Sequence, residues 1–225
     1  MARPKIVAVV SQKGGVGKST LCQLIAREAA AAGKHAKILD FDVKQMTSTD
    51  WVRARLERDI EPTIEAEPTK NLEKALKHSK GYDLIVLDGA PGAPKRTAEL
   101  APSCDLIVLP TGASRADLVP TLALARRLAE MKLASDGPIF ALCRVLTASE
   151  SAETRAAIAN AGFETLAGEL IERPGYRAAQ NAGRSLTETT FPSLNGKAKE
   201  LARGVLDRLA FNDIRLKAKS GRRHP

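Results

Sequence analysis

The chain has 225 residues, 44% of them hydrophobic, which is typical of one globular domain with a sizeable core. No stretch approaches the ~18 uninterrupted apolar residues that a membrane span requires. The first residues lead directly into an apolar strand pattern without a secretory hydrophobic region, so we expect a cytoplasmic protein. The net charge of +9 indicates a polyanionic partner, nucleic acid or an anionic membrane, or else a basic surface that serves only solubility.

The three cysteines, Cys22, Cys104 and Cys143, lie far apart and form no C-x-x-C pair. This spacing predicts neither a disulfide framework nor a zinc site. The three histidines are equally scattered, and we assign no metal cluster to them. We therefore expect free, buried thiols.

Apolar runs alternate with helical patterns along the chain, which predicts a single doubly wound, mainly parallel sheet with helices on both faces. The predicted strands are Lys5–Ser11, Ala36–Asp40, Thr63–Ala66, Leu84–Asp88, Leu106–Pro110, Ile139–Val145 and Thr165–Leu170. The predicted helices are Lys18–Ala32, Thr47–Glu57, Leu72–Lys80, Asp117–Met131, Glu150–Asn160 and Ala198–Leu209. We expect one domain over residues 1–212, followed by a flexible basic tail over residues 213–225.

A glycine-rich run separates the first predicted strand from the first helix and reads Ser11-Gln12-Lys13-Gly14-Gly15-Val16-Gly17-Lys18-Ser19-Thr20. Strand, glycine-rich turn and helix together form a phosphate cradle, because backbone N–H groups and the helix N-terminus attract anions. Lys18 can reach the β- and γ-phosphates, and the Ser19 hydroxyl can bind Mg²⁺. The run therefore predicts a nucleotide site at Gly14, Gly15, Val16, Gly17, Lys18, Ser19 and Thr20.

This run departs from the ordinary P-loop pattern, because Gln12 stands where a glycine is expected and Lys13 precedes the glycine pair. The resulting form, K-G-G-x-G-K-[ST], resembles the deviant P-loop of the ParA/MinD family of ATPases. The resemblance implies an ATP-bound homodimer in which Lys13 reaches the nucleotide of the partner subunit, while Lys18 serves the nucleotide of its own subunit. ATP and Mg²⁺ are the implied cofactors.

The second strand ends in Asp40-Phe41-Asp42, which resembles the family's D-x-D-P-Q element. The resemblance implies that Asp42 positions the attacking water and contributes to the Mg²⁺ site. Val43-Lys44-Gln45 departs from that element as if one residue were inserted, and it is open whether Gln45 replaces the family's glutamine. The alternative is that both aspartates cap the following helix.

Three later segments resemble further parts of the family's nucleotide site. Asp88 ends an apolar strand in the Walker B form, and its carboxylate is expected to hold a Mg²⁺-bound water, which gives Ser19, Asp42 and Asp88 as the metal-site residues. Pro110 ends the next strand beside the expected nucleotide. Arg144 stands where relatives place a residue against the adenine, and a surface arginine is the alternative.

Basic residues near the end of the domain suggest a nucleic-acid surface. We expect Arg173, Arg177 and Arg184 to contact duplex DNA without sequence preference. The basic tail is a second candidate for such contacts, or only a solubilising segment.

The resemblance is strongest to the small ParA-type plasmid partition proteins such as ParF and to the accessory ATPase of T-DNA transfer. It implies a slow, Mg²⁺-dependent, partner-stimulated ATPase that associates with the nucleoid and partitions plasmid or chromosomal DNA. A centromere-binding adaptor protein is the implied partner. The sequence leaves the cargo open, since relatives position carboxysomes, chemoreceptors or conjugative transfer complexes.

The alternatives to a DNA-partition ATPase come from two other classes of function. A MinD-like membrane switch needs an apolar C-terminal helix face, but the tail offers only Ile214 and Leu216, so a membrane partner is not expected. A redox protein with a shared iron–sulfur cluster would need two cysteines per subunit, such as Cys104 and Cys143. Each of these borders an apolar strand, so packing explains both. The dethiobiotin synthetase relatives are metabolic enzymes of the same superfamily, and they lack the early lysine that this chain carries as Lys13.

Overall fold

A computed structural model describes residues 3–90, 92, 94–131 and 137–210. The tail predicted over residues 213–225 lies outside this part of the chain. The strands are β1 (Lys5–Val9), β2 (Ala36–Asp40), β3 (Glu65–Pro68), β4 (Leu84–Asp88), β5 (Leu106–Thr111), β6 (Pro138–Val145) and β7 (Thr165–Ile171). The α-helices are α1 (Lys18–Ala31), α2 (Thr47–Leu56), α3 (Leu72–Lys77), α4 (Pro94–Leu100), α5 (Arg115–Glu130), α6 (Ala148–Asn160), α7 (Pro174–Asn181) and α8 (Pro192–Arg208).

The strands form one seven-stranded sheet in the order β3-β2-β4-β1-β5-β6-β7. Every pairing between neighbouring strands is parallel, which confirms the predicted doubly wound parallel sheet. Asp88 of β4 pairs in register with Val9 on one side and with Asp40 on the other. This register brings the loop after β1 and the carboxylates of β2 and β4 to the same carboxyl edge of the sheet.

The sheet is buried on both faces. Successive strand side chains point to opposite sides, so neighbouring residues of one strand belong to different core clusters. Val7 and Val86 belong to the core cluster beneath α1 and α8, whereas Ala8 and Leu87 belong to the cluster on the opposite face. Burial on both faces explains why the strands are nearly continuous apolar runs. Among the described helices, none has the length and hydrophobicity that a bilayer span needs.

The element boundaries differ from the predictions at a few places. β3 begins at Glu65 and not at Thr63, whose N–H donates to the Glu61 carboxylate at 2.6 Å. The helices α4 and α7 were not predicted. α8 begins at Pro192, because proline fits the first turn of a helix, but its buried residues start only at Ala198. Apolar periodicity could therefore not reveal that first turn.

A buried ionic network joins α1 and α2 to the segment after α7. Arg55 is only 2% exposed, and its Nη1 donates to the Glu188 carboxylate at 2.6 Å and to the Gly183 carbonyl at 3.1 Å. Arg27 of α1 donates to the same carboxylate at 3.1 Å. Burial alone would raise the pKa of Glu188, but the hydrogen bonds from Arg55 and from the Ser185 N–H outweigh it and hold that pKa below its ordinary range.

Replacing Glu188 by alanine should lower the free energy of unfolding by about 3–5 kcal/mol at pH 7, because the Arg55 charge is then left buried without its counterion. Urea unfolding measures this, with the exposed Glu57→Ala as the control. Since the pKa of Glu188 is lowered, the carboxylate stabilises the fold above its ordinary pKa of 4.5, and this contribution is lost as the pH falls through the lowered value. The unfolding free energies of Glu188→Ala and of the unsubstituted protein should therefore converge in acid. A difference between them below about 0.5 kcal/mol at pH 7 contradicts the prediction.

Candidate functional site

The loop between β1 and α1 presents an open helix N-terminus. Gly15 and Gly17 have φ values of 75° and 98°, a left-handed backbone that favours glycine. Gly17 is the N-cap residue of α1, and no side chain caps the helix. The Leu21 N–H donates to the Gly17 carbonyl at 2.9 Å, so the N–H groups of residues 18–20 have no helical carbonyl to pair with. This end of α1 can therefore receive an anion.

A cavity of about 450 Å³ opens over this N-terminus, a size typical of small-molecule sites. Eight of the residues predicted for the nucleotide and metal sites line it, namely Gly14, Gly15, Gly17, Lys18, Ser19, Thr20, Asp42 and Arg144. Val16 and Asp88 are buried, and they lie outside the set of lining residues. Pro110 is also buried, within β5, and does not line the cavity. Its contact with a nucleotide stays a prediction, as do the roles of the other residues.

Lys18 is an almost fully buried cation on the floor of the cavity, with 7% of its surface exposed. Its Nζ donates to the Lys13 carbonyl at 3.1 Å. Burial lowers the pKa of Lys18, while the nearby carboxylates of Asp88 and Asp42 oppose that shift. The side chain is thus held in place before any phosphate arrives.

Asp88 lies beneath the cavity between two serine hydroxyls. The Ser48 Oγ donates to its Oδ2 at 2.7 Å, and Ser19 also hydrogen-bonds to this carboxylate. Burial raises the pKa of Asp88 to about 6. Hydroxyl and carboxylate oxygens are ligands that Mg²⁺ prefers, so the donor set of Ser19, Asp42 and Asp88 fits this ion.

Mg²⁺ in nucleotide sites takes one or two carboxylates, with water and phosphate completing its shell. Within the described ranges, no group of three or more His, Cys, Asp or Glu side chains could hold a metal ion.

Asp40 and Asp42 have different roles in the structure. Asp40 is fully buried, and its carboxylate accepts hydrogen bonds from the N–H groups of Ser48 and Thr49 at 3.1 and 3.2 Å, which caps α2 from β2. It also accepts the N–H of Asp42 at 3.1 Å. Asp42 lines the cavity, and so does Gln45. The alternative that the aspartates cap the next helix thus holds for Asp40 and leaves Asp42 at the cavity.

Lys13 lies at the rim of the cavity and not within it. Its Nζ donates to the Asp117 carboxylate at the start of α5, and the side chain remains 45% exposed. Partial burial alone would raise the pKa of Asp117, but the hydrogen bonds from Lys13 and Ser114 outweigh it and hold that pKa below its ordinary range. The sequence did not reveal Asp117, because 104 residues separate the partners and no spacing rule connects them.

A group of arginines surrounds Glu172 at the opposite rim. Arg144, which has a φ of 59°, donates to the Gly15 carbonyl and to the Glu172 carboxylate, each at 2.9 Å. The Arg173 Nη1 donates to the Glu172 carbonyl at 2.8 Å, and Arg177 lies 3.9 Å from the carboxylate. Arg173 and Arg177, predicted as DNA contacts, both line the cavity. Arg184 is exposed and does not line it.

α7 closes this side of the cavity with a residue that the sequence did not single out. The Gln180 Nε2 donates to the Thr20 Oγ1 at 2.8 Å and to the Gln23 Oε1 at 3.2 Å. These bonds attach α7 to the first turns of α1. A single glutamine in a short helix carries no sequence signal of such a role.

The cysteines are buried thiols, as expected from their spacing. Cys104 packs in the core on one face of the sheet and Cys143 in the core on the other face. Burial raises the pKa of each thiol to about 12. The sheet therefore separates the two residues that an iron–sulfur cluster would require.

A parallel sheet with a glycine loop at the N-terminus of α1 defines the class of P-loop nucleotide-binding proteins. The model of the CobQ/CobB/MinD/ParA nucleotide-binding domain family matches residues 7–211. The chain belongs to this family, which confirms the resemblance inferred from the loop.

Two relatives and one solved structure extend this result. The chain is 31% identical over 125 residues to the maintenance of carboxysome distribution protein A of Gloeobacter kilaueensis, covering 55% of this chain and 56% of that one. It is 26% identical over 163 residues to the chromosome-partitioning ATPase Soj of Thermus thermophilus, covering 59% and 65%. The chain thus spans less than two thirds of the length of either relative.

The solved structure is the septum site-determining protein MinD of Pyrococcus horikoshii in complex with Mg-ADP. It matches with a TM-score of 0.72 and 20% identity, over 93% of this chain and 98% of that one. At this identity the match shows a shared fold.

Proposed function

We propose that this protein is an ATP-hydrolysing switch that dimerises with ATP, binds duplex DNA without sequence preference and partitions plasmid or chromosomal DNA. The observation that carries the proposal is the pair of lysines in one glycine loop, with Lys18 buried below the cavity and Lys13 exposed at its rim. Lys18 binds the phosphates of the nucleotide in its own subunit, and Lys13 is available to the nucleotide of a second subunit. The name of the Soj relative, a chromosome-partitioning ATPase, supports the same function.

ATP hydrolysis is assigned to groups that the sheet edge brings together. Lys18 and the N-terminus of α1 bind the β- and γ-phosphates, and Asp42 orients the attacking water. Ser19, Asp42 and Asp88 would hold Mg²⁺, directly or through water, and the ion when bound neutralises charge on the phosphates. Turnover is slow until a partner stimulates it, as the family resemblance implies.

Dimerisation is assigned to the exposed rim. In the single chain Lys13 is paired with Asp117, so it has to leave this carboxylate before it can reach the nucleotide of another subunit. The pair is partly exposed, and such pairs contribute only about 0.2–1 kcal/mol. The phosphates of a bound ATP offer a stronger anion, and ATP thereby favours the two-subunit state.

DNA is the proposed scaffold because the net charge is +9 and arginines are exposed on and after α7. A centromere-binding adaptor protein would connect this scaffold to the cargo, and the protein would associate with the nucleoid. The relative that distributes carboxysomes supports a second candidate, in which the same switch positions a protein cargo. We rank a membrane scaffold below DNA.

Fluorescence anisotropy with a random duplex, in ATP and in ADP over a salt series, tests this function. Affinity should be higher in ATP, because two subunits double the phosphate contacts, and it should fall steeply with salt as counterions are released. Lys13→Ala serves as the control, since it should bind DNA equally weakly in both nucleotides. Absence of binding in both nucleotides at low salt would exclude DNA as the scaffold.

A further inference from the structure

The exposed side of α7 presents its arginines in one line. Arg173 is the N-cap residue and Arg177 follows one turn later, 69% exposed, while Tyr176 and Ala179 are buried on the opposite side. The helix ends in a backbone motif in which the Gly183 N–H donates to the Gln180 carbonyl at 3.0 Å. The Arg184 N–H donates to the Ala179 carbonyl at 2.9 Å, so Arg184, which is exposed, directly follows this helix end.

α2 lies directly against the end of this line. A Cβ atom on Gly183 would come within 3.2 Å of the Ala54 carbonyl oxygen, so the two backbones are in contact. The Trp51 Nε1 donates to the Arg184 carbonyl at 3.2 Å, and the Arg55 Nη1 donates to the Gly183 carbonyl at 3.1 Å. The position of Arg184 relative to α2 is therefore fixed by hydrogen bonds.

Arg58 comes to the same place from the turn that follows α2. Its Nη1 donates at 2.9 Å to the Ala54 carbonyl oxygen against which Gly183 packs, which puts its guanidinium close to Gly183, the residue before Arg184. Both arginines are exposed. The acidic residues Glu57 and Asp59 flank Arg58 in sequence, but neither forms an ion pair with it within the described ranges.

We propose that Arg58, Arg173, Arg177 and Arg184 form one phosphate-binding row for duplex DNA, which rests on the DNA binding proposed above and adds to it a residue from the turn after α2. The row begins at the nucleotide cavity, which Arg173 and Arg177 line, and ends at Arg58. Arg173 and Arg177 are four positions apart, about 6 Å at the helical rise of 1.5 Å per residue.

This separation corresponds to about two phosphates of one DNA strand, at 3.4 Å per phosphate along the axis, and Arg58 and Arg184 lengthen the row beyond it. Guanidinium groups are well suited to phosphate oxygens, because their fork of donors binds two oxygens at once. Arginines that contact only phosphates carry no sequence information, so this surface binds all duplexes alike.

The far end of the row provides the test, because Arg58 and Arg184 do not line the nucleotide cavity. Arg58→Ala and Arg184→Ala should each weaken ATP-dependent binding about tenfold on two unrelated duplexes and lower the salt slope by about one per subunit. Arg58→Lys should recover most of the loss. Arg53→Ala is the matched control, since Arg53 lies five positions before Arg58, within α2, is 62% exposed and is paired with Asp50 at 2.9 Å.

Circular dichroism melting and binding of a fluorescent ATP analogue confirm that each variant is folded. If the unsubstituted protein binds duplex while Arg58→Ala and Arg53→Ala bind it with equal affinity, the row is wrong and the proposed DNA binding stands. If the unsubstituted protein binds no duplex in either nucleotide, the proposed function and the row are both wrong. Row-dependent binding to phosphatidylserine vesicles in place of duplex also overturns the row as a DNA surface.

Discussion

Replacing Lys18 by alanine should weaken ATP binding more than a hundredfold. The side chain is a buried cation beside the open N-terminus of α1, and no other lysine Nζ is held on the cavity floor within the described residues. Its removal leaves the phosphate charge without a desolvated partner, which costs about 3 kcal/mol or more. Titration of a fluorescent ATP analogue measures the loss.

Lys13→Ala provides the control within the same loop. Lys13 is 45% exposed and paired with Asp117, so a single subunit should keep most of its ATP affinity without it. The same variant should fail to dimerise with ATP in light scattering. Equal ATP affinity of Lys18→Ala and the unsubstituted protein would refute the assignment of Lys18, and equal dimerisation of Lys13→Ala would refute the shared site.

Replacing Asp42 by alanine should lower the rate of ATP hydrolysis at least about a hundredfold and leave ATP affinity close to normal. The side chain lines the cavity, and its Oδ1 accepts the Gln45 N–H at 3.2 Å. The same N–H also donates to the Asp42 carbonyl at 3.1 Å, this carbonyl accepts the Met46 N–H at 2.7 Å, and the Asp42 N–H donates to the Asp40 carboxylate. The loop should therefore keep its shape when only the side chain is removed. A phosphate-release assay and an ATP titration on the same sample separate the two effects.

Lys44→Ala controls for a general disturbance of this loop, because Lys44 is exposed two residues further along and does not line the cavity. It should hydrolyse ATP at the normal rate. Hydrolysis by Asp42→Ala at that same rate would show that another group orients the water.

The sheet could be predicted because its strands are buried on both faces. Leu84, Ile85, Val86 and Leu87 are each 0% exposed, and such a continuous run has few alternatives. The helix α7 could not be predicted, since only Tyr176 and Ala179 are buried among its eight residues. Two residues do not establish a period, and the helix depends on tertiary contacts such as the Tyr176 hydroxyl donating to the Leu194 carbonyl at 2.8 Å.

The candidate site was predictable where its residues follow one another in the chain. The glycine loop is local, so its position at the start of α1 follows from sequence order. The contacts of Lys13 with Asp117 and of Gln180 with Thr20 join residues more than a hundred positions apart. Sequence order does not specify such contacts, because they arise only when the sheet sets the distance between its helices.

The cap on α2 determines which of two neighbouring helix N-termini keeps its positive charge. Both α1 and α2 begin at this edge of the sheet, and a helix N-terminus carries about half a positive charge. At α2 this charge is already neutralised by the buried carboxylate of Asp40, whereas α1 has no side-chain cap and no acidic residue in its first turn. Of these two helices, only α1 therefore presents its N-terminal charge to an anion, and we expect the phosphates of a bound nucleotide to lie at α1 and not at α2.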